Sequence, residues 1–307
     1  MSVTAGRMPR SPQGRIAAPP AAGRTRGFTL IEIIATLVVV AILAGTVLFF
    51  IRGPVTGFVQ QNRREQLVAA ASTALERMAG DIRGALPNSV RVTNGNHDLQ
   101  IIPVVDAGRY RAGPSPNYPG RDERLQFNQA DAKFNIESPL ESLPGYPASD
   151  FTTGTDRLVV YNTGQPGANA YENTNVISPK GDSITISQVD GSTAHVENHV
   201  VLGSAFRFQY QSPQQRIYLV RRSVSWLCSP ATDPTRGTLR RYVSDITATQ
   251  PTSGTLGDLA VAGVTACSFS YQSGTATRAG VVTLALTLAS GKNSIHLEQQ
   301  VHVDNVP

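Results

Sequence analysis

The chain has 307 residues, of which 27 are glycine and 20 are proline, and this composition predicts a turn-rich, β-rich body rather than a helical bundle. The length suits two domains, or one domain with appendages. The formal net charge of +5 comes from five arginines in residues 1–27, because the remaining chain holds 22 basic residues (27 less 5) and 22 acidic ones. Basic and acidic residues are equal in number beyond residue 27, so net charge gives no support for nucleic-acid binding there. We expect no nucleic-acid partner.

An apolar run of membrane length follows the basic segment. Residues 33–51 number 19 and are interrupted only by Thr36, Gly45 and Thr46. At about 1.5 Å per residue, such a helix reaches about 28 Å, close to the thickness of the hydrocarbon layer. Arg24 and Arg26 flank its N-terminal side, which predicts a single-pass inner-membrane protein with a cytoplasmic N-terminus and a periplasmic body. No small-residue cleavage site follows the run, which disfavours ordinary signal-peptidase cleavage.

A compact motif stands at the start of this run, and its sequence is Gly27-Phe28-Thr29-Leu30-Ile31-Glu32. It resembles the processing site of type IV prepilins and type II secretion pseudopilins. In that family a prepilin peptidase cuts after the glycine and methylates the new N-terminal phenylalanine. The resemblance therefore implies that residues 1–27 are a leader, that the Gly27–Phe28 bond is cleaved, and that Phe28 is N-methylated.

Glu32 needs an explanation, because a carboxylate at the edge of the hydrocarbon layer costs a few kcal/mol, about 3 on insertion scales. Cleavage before Phe28 would create a cationic amine beside the positive end of the helix dipole. Glu32 can then neutralise its own helix start, or it can meet the amine of a neighbouring subunit. The family resemblance implies the second arrangement, which makes Glu32 an assembly and register residue. The alternative is an acid that lies in the headgroup layer with no partner subunit.

The helix is expected to continue beyond the membrane. We predict a transmembrane helix over residues 28–53, a kink or break at Gly53-Pro54, and an amphipathic helix over residues 54–86 that Pro87 ends. Apolar residues at steps of three and four form one stripe, and charged residues, Asp81 among them, lie mostly away from it. The stripe consists of Leu67, Ala71, Leu75, Met78, Ile82 and Leu86.

The remainder, residues 87–307, is predicted to be one periplasmic β-rich globular domain, although the loop-rich stretch 106–156 could form a separate lobe. The resulting fold class is α+β and pilin-like, with a long N-terminal helix packed on a β-rich head. A hairpin turn is predicted at residues 290–293, followed by a strand with Ile295, Leu297, Gln299, Val301 and Val303 on one face. Predicted strands cover residues 89–93, 99–105, 124–127, 157–162, 183–188, 196–202, 206–211, 215–226, 239–244, 267–272, 280–288 and 294–303.

Cys228 and Cys267 are the only cysteines, and both lie far beyond the apolar run. In an oxidising compartment a disulfide between them is the default expectation, with two buried free thiols as the alternative.

No residue pattern predicts catalysis. Nucleotide-binding, metalloprotease and nucleophile-elbow motifs are missing from the sequence, so we expect no catalytic residues, no cofactor and no enzyme activity. The five histidines have spacings that favour solvated surface residues over a metal site, and they are His97, His195, His199, His296 and His302. Arg221, Arg222, Tyr218 and Trp226 could form a nucleic-acid stacking patch, but a solvated strand edge is favoured.

Further stretches of the chain resemble one group of proteins within that family. Residues 54–58, 74–83, 85–92 and 299–307 are similar to minor pilin-like proteins of MSHA-type pilus biogenesis. This similarity implies a structural subunit at the tip or in the initiating complex of a type IV pilus. Its expected partners are prepilin peptidase, other major and minor pilins and the inner-membrane assembly platform. A minor pseudopilin of a type II secretion system is the alternative, and a membrane-tethered periplasmic enzyme is a third.

Overall fold

A computed structural model describes residues 27–114, 123–138, 140, 156–180, 185–189, 197–251, 257–274, 278–303 and 305. Helix α1 spans Leu30–Arg83, and the chain divides into two compact units, Met1–Gly57 and Phe58–Pro307.

The backbone stays helical through Gly53 and Pro54, so the prediction of a broken helix there is wrong. An interior proline removes one backbone donor and crowds the preceding turn, but its fixed φ of about −65° is itself helical, so the helical backbone can run through it. The predicted kink stays a prediction.

In the first unit, the described residues contain one helix long and apolar enough to cross a membrane, Leu30–Phe50, with a mean hydropathy of 2.8. Both threonines in this helix bond back to the preceding turn. Thr36 Oγ1 donates to the carbonyl of Ile33 and Thr46 Oγ1 donates to that of Leu43, both over 2.9 Å. These bonds satisfy the hydroxyl groups within the helix, so neither threonine opposes insertion into lipid.

The second unit is built on antiparallel strands. Their bounds are β1 Arg91–Thr93, β2 Asp98–Ile101, β3 Val104–Arg109, β4 Asp131–Ile136, β5 Arg157–Val159, β6 Thr185–Val189, β7 Glu197–Phe206, β8 Arg216–Val220, β9 Ser223–Ser229, β10 Thr238–Ser244, β11 Asp258–Ala262, β12 Val264–Gln272, β13 Gly280–Ser290 and β14 Asn293–Val303. A 3-10 helix, Ala170–Glu172, precedes β6.

The C-terminal part of α1 packs on two of the four sheets. These sheets have the strand orders β1-β2-β9-β10-β11 and β12-β13-β14. The predicted stripe forms the helix side of one hydrophobic core, with Ala71, Leu75, Met78 and Ile82 at most 3% exposed. Leu67 packs at its margin, and Leu86 lies in a separate, smaller core. Helical periodicity therefore identified the buried face correctly.

The helix ends at Arg83, three residues before the predicted end. The chain leaves the helix at Gly84 and Ala85. The Leu86 amide then donates to the carbonyl of Ile102 over 2.7 Å, and the Val104 amide donates to the carbonyl of Gly84 over 2.9 Å. Because Pro87 disfavours helix in the residue before it, the chain turns here and pairs with residues 102–104 instead.

A second lobe is inserted into the first sheet. Strands β2 and β9 are neighbours in that sheet, yet β3 to β8 lie between them in the chain. The inserted strands form two sheets, β3-β8-β5 and β4-β7-β6, around a second hydrophobic core that contains Tyr110, Phe134, Phe208 and Leu219. The lobe anticipated at residues 106–156 is thus larger, since its core reaches Leu219.

Several strand predictions need correction. Residues 124–127 and 207–211 form no strand, and the 215–226 prediction is two strands, β8 and β9. Strands β4 and β11 were not predicted, although Asp131–Ile136 of β4 alternates polar and apolar residues; Asp258–Ala262 of β11 lacks such alternation. The predicted hairpin is confirmed, with Ser290 opposite Asn293 and a positive φ of 59° at Gly291. The predicted apolar face of β14 is also confirmed, since Ile295, Val301 and Val303 are buried.

Candidate processing and assembly site

The N-terminal motif begins helix α1 through a side-chain cap. Thr29 is the residue before the helix, and its Oγ1 accepts a hydrogen bond from the Glu32 amide over 3.3 Å. The Thr29 carbonyl accepts from the Glu32 and Ile33 amides over 3.1 and 3.2 Å. An N-cap threonine satisfies one of the orphan amides at a helix start. The motif thus positions its own acid in the first turn, at the positive end of the helix dipole.

The capping role of Thr29 was not predicted. The signal was in the sequence, because Thr29-Leu30-Ile31-Glu32 has the spacing of a capping box, in which Ser or Thr is followed three residues later by Glu. The same four residues therefore serve local helix initiation as well as the resemblance to a processing site.

The two residues of the predicted cleavage site are exposed. Phe28 is 79% exposed. A Cβ built on Gly27 would meet nothing within 4 Å, so no described residue of this chain requires glycine there. The residues on both sides of the Gly27–Phe28 bond are therefore accessible to another protein.

Glu32 also lies on the surface, at the end of a shallow groove. The groove runs along α1 and is lined by Glu32, Ala35, Thr36, Val39 and Val40. Apolar side chains of this segment are largely exposed, with Leu37 at 64% and Val40 at 60%. An exposed apolar helix with a single acid in its first turn can be covered by lipid or by other helices.

The family model described as "Prokaryotic N-terminal methylation motif" matches residues 23–48. The motif supports a type IV pilin-like or pseudopilin precursor. It implies processing by prepilin peptidase and pilus assembly with other pilins, and together with the apolar helix it fits a membrane-anchored pilin. No curated protein and no solved structure matches the chain.

Trp226 lies in the core, so neither the nucleic-acid patch nor the solvated strand edge is correct for it. Its side chain is 0% exposed, and Tyr218 is 7% exposed. The Trp226 indole donates to Asp81 of α1 over 3.0 Å, and Arg241 donates to the same carboxylate over 2.8 and 3.2 Å. Asp81 is therefore a docking residue between helix and sheet rather than an outward-facing charge.

Cys228 and Cys267 form a disulfide, as predicted, with 6.7 Å between their Cα atoms. The bond joins β9 of the five-stranded sheet to β12 of the three-stranded sheet. Both sulfurs belong to the core beneath α1, where the two cysteines are 1% and 7% exposed. The bridge thus fastens together the two sheets on which the helix packs.

The histidines do not converge. His296 and His302 are exposed on β14, and His199 is partly buried, with its Nδ1 2.7 Å from Asn135 Oδ1. His195 lies outside the described residues. Within the described ranges, no group of three or more His, Cys, Asp or Glu side chains is arranged to hold a metal ion.

Proposed function

We propose that the protein is a non-enzymatic structural subunit of a type IV pilus or related filament, anchored in the inner membrane until it is assembled. The carrying observation is the motif at residues 27–32. The motif contains a glycine that no described contact requires, an exposed phenylalanine, and a capped helix start with one acid. It lies at the start of a helix of membrane length. The arginines before the helix support a cytoplasmic N-terminus and a periplasmic body.

In this function, Glu32 pairs with the methylated amine of Phe28 on an adjacent subunit. A carboxylate exposed in the first turn is available for such a pair. Since an unpaired charge in hydrocarbon is costly, pairing favours the register in which each acid meets an amine. Helix–helix packing along the exposed apolar face then holds the subunit in the filament.

Within the family, the chain resembles the MSHA biogenesis protein MshO, a minor pilin-like component. The resemblance rests on the helix and both ends of the body. A body of two lobes supports a position at the tip or in the initiating complex, since a bulky head hinders stacking at every position. A minor pseudopilin of a type II secretion system remains the second candidate, because the N-terminal motif serves both systems.

Intact-mass and N-terminal peptide analysis of the protein purified from its host tests the processing step. We expect a chain that begins with N-methylated Phe28, and a Gly27→Leu variant should keep its leader. A native chain that begins at Met1 would remove the pilin-like function.

Filament incorporation tests the role of Glu32. Glu32→Ala should leave membrane insertion and processing intact but abolish recovery of the protein in sheared filaments. Glu65→Ala is the matched control, since Glu65 is an exposed acid on the same helix beyond the membrane segment. Equal incorporation of the two variants would refute the pairing. Crosslinking the body to co-purifying pilins or to secretion-system components separates the two candidate systems.

A further inference from the structure

The inserted lobe contains an open cleft of about 490 Å³ whose lining is polar. Its volume lies within the range of small-molecule sites, roughly 300–1,000 Å³. Three loop segments form it: residues 110–112 after β3, residues 124–128, and the turn at 211–215 before β8. The helix and the sheets that pack on it contribute no residue to the cleft, so this feature belongs to the insertion.

Four of the eleven lining residues carry carboxamides. They are Gln126, Asn128, Gln211 and Gln215. A carboxamide has an acceptor oxygen and two donor hydrogens, so it can form paired hydrogen bonds to neighbouring hydroxyl groups. Gln126 Oε1 accepts from Gln129 Nε2 over 2.8 Å, which leaves the donor hydrogens of Gln126 for a ligand. The described lining holds one cation, Arg124, and no carboxylate. Such a surface suits a ligand with many hydroxyl groups rather than a polyanion or a cation.

An aromatic ring lies beside these amides. Phe127 is partly exposed in the cleft and contacts Tyr110, with their ring centroids 5.4 Å apart. Tyr110 is buried behind it and donates its hydroxyl hydrogen to the carbonyl of Ser212 over 3.2 Å. A supported ring with an accessible part can receive the apolar face of a sugar.

Gln215 is held in an unusual conformation at the same place. Its φ is +59°, a left-handed value that is uncommon for a residue other than glycine or asparagine. The backbone carbonyl of Gln215 accepts from the Tyr110 amide over 2.9 Å, and its Oε1 accepts from Arg109 over 3.1 Å. The bond from Arg109 holds the side-chain oxygen of Gln215 beside the cleft, and the left-handed backbone closes a turn in which the Gln215 amide donates to the Ser212 carbonyl over 3.0 Å.

Other ligand classes fit less well. An extended peptide that adds to a sheet needs a free strand edge, but the lining residues lie in loops. A nucleic acid needs several cations. A lipid needs a continuous apolar wall, and amides interrupt this one.

We propose that this cleft binds a carbohydrate, and that the inserted lobe is a glycan-recognition module. The proposal concerns the lobe alone and goes beyond assembly into a filament. The amides at its rim take the sugar hydroxyls while Phe127 lies against the ring. This assigns the insertion a role that the helix and the two sheets beneath it do not need.

Saturation-transfer difference NMR on the full-length protein tests the proposal, in a detergent without a sugar headgroup. The probes are D-glucose, D-galactose, N-acetyl-D-glucosamine and D-glucuronic acid, with N-acetyl-tetraalanine amide as a peptide probe. We expect saturation transfer to at least one sugar, and at least a tenfold weaker affinity in an Asn128→Ala/Gln211→Ala variant. Both side chains are exposed, so this variant should fold.

Gln215→Gly is the second variant, because glycine tolerates the positive φ while the amide is removed. It should weaken sugar binding as well. Gln214→Ala is the control, since Gln214 is exposed in the same turn but does not line the cleft. No transfer to any sugar, equal affinity in the cleft variants and the control, or binding of the peptide probe alone would each overturn the proposal. The N-terminal mass of the same samples reports processing separately.

Discussion

Trp226 and Asp81 join helix α1 to the sheet beneath it. The indole Nε1 of Trp226 donates to Asp81 Oδ2 over 3.0 Å, across 145 positions of the chain. Arg241 donates to the same carboxylate from the next strand, and its side chain and that of Asp81 are 20% and 19% exposed. Since Trp226 is fully buried, Asp81 supplies the partner that its N–H requires.

Asp81→Ala should lower the free energy of unfolding by about 1–3 kcal/mol, because it leaves a buried indole N–H without its acceptor. Urea unfolding, followed by fluorescence of the single tryptophan and by circular dichroism, measures the change. Glu76→Ala is the control from the exposed face of the same helix. If both variants unfold at the same urea concentration, the docking role is wrong.

Loss of the Cys228–Cys267 disulfide should lower stability by about 4 kcal/mol on the chain-entropy model, since the bridge closes a loop with a sequence separation of 39. Urea unfolding with and without a reducing agent measures this. A Cys228→Ala/Cys267→Ala variant should be less stable and insensitive to the reductant. An unchanged midpoint on reduction of the native chain would contradict the prediction.

Asp98 should make stability depend on pH. Burial is the main cause that raises the pKa of its carboxyl, against opposing hydrogen bonds from Asn94 and the Cys228 amide. The pKa of Asp98 in the folded chain thus lies above its unfolded value of about 4, so the unfolded chain releases this proton at a lower pH than the folded chain does. The contribution of Asp98 to folding stability therefore becomes less favourable as pH rises through the interval between the two pKa values. The stability of Asp98→Asn relative to the native chain should therefore increase between pH 3 and pH 7.

Asp233→Asn should change the pH dependence of stability in the opposite direction to Asp98→Asn. Hydrogen bonds from the Thr235 hydroxyl and amide lower the pKa of Asp233, which is fully exposed. Its stabilising contribution is present above the unfolded pKa and is lost as pH falls. The relative stability of this variant should decrease from pH 3 to pH 7. A flat or falling profile for Asp98→Asn would contradict the effect of burial, and a flat or rising profile for Asp233→Asn would contradict the effect of the Thr235 hydrogen bonds.

Thr29→Ala should loosen the start of α1, because it removes the side-chain oxygen that accepts from the Glu32 amide and leaves that amide only the Thr29 carbonyl. Replacing an N-cap by alanine costs about 1 kcal/mol of helix stability. Amide hydrogen exchange in detergent should become faster at Glu32, by roughly fivefold. Thr29→Ser keeps the hydroxyl and should exchange like the native chain, and equally fast exchange in both variants would exclude a capping role.

Local patterns in the sequence predicted the features that depend on neighbouring residues. The stripe through Leu75, Met78 and Ile82 identified the buried helix face, and alternation around Gly291 identified the β13–β14 hairpin. Both patterns report which face of a local backbone is apolar, and that face is buried wherever the element packs. The expectation of an oxidising compartment likewise predicted the Cys228–Cys267 disulfide, but it did not predict the strands that the disulfide joins.

Long-range partners were not predictable in this way. Leu99 pairs with Trp226 although a complete lobe separates them in the chain, and no local period specifies that neighbour. A solvated strand edge was predicted for Trp226 because the body has no excess of positive charge, whereas Asp81 and Arg241 reach the polar end of its buried ring from the edge of the core.

The sequence by itself determined the processing motif, the membrane-length helix and the apolar faces of the principal elements. Those properties follow from residue types at short spacings. Only the tertiary structure decided that β2 and β9 are adjacent, that residues between them form a second core, and that Gln126 and Gln215 share one cleft. Such contacts depend on how the whole chain buries its apolar surface, and that is a property of the assembled core rather than of any segment.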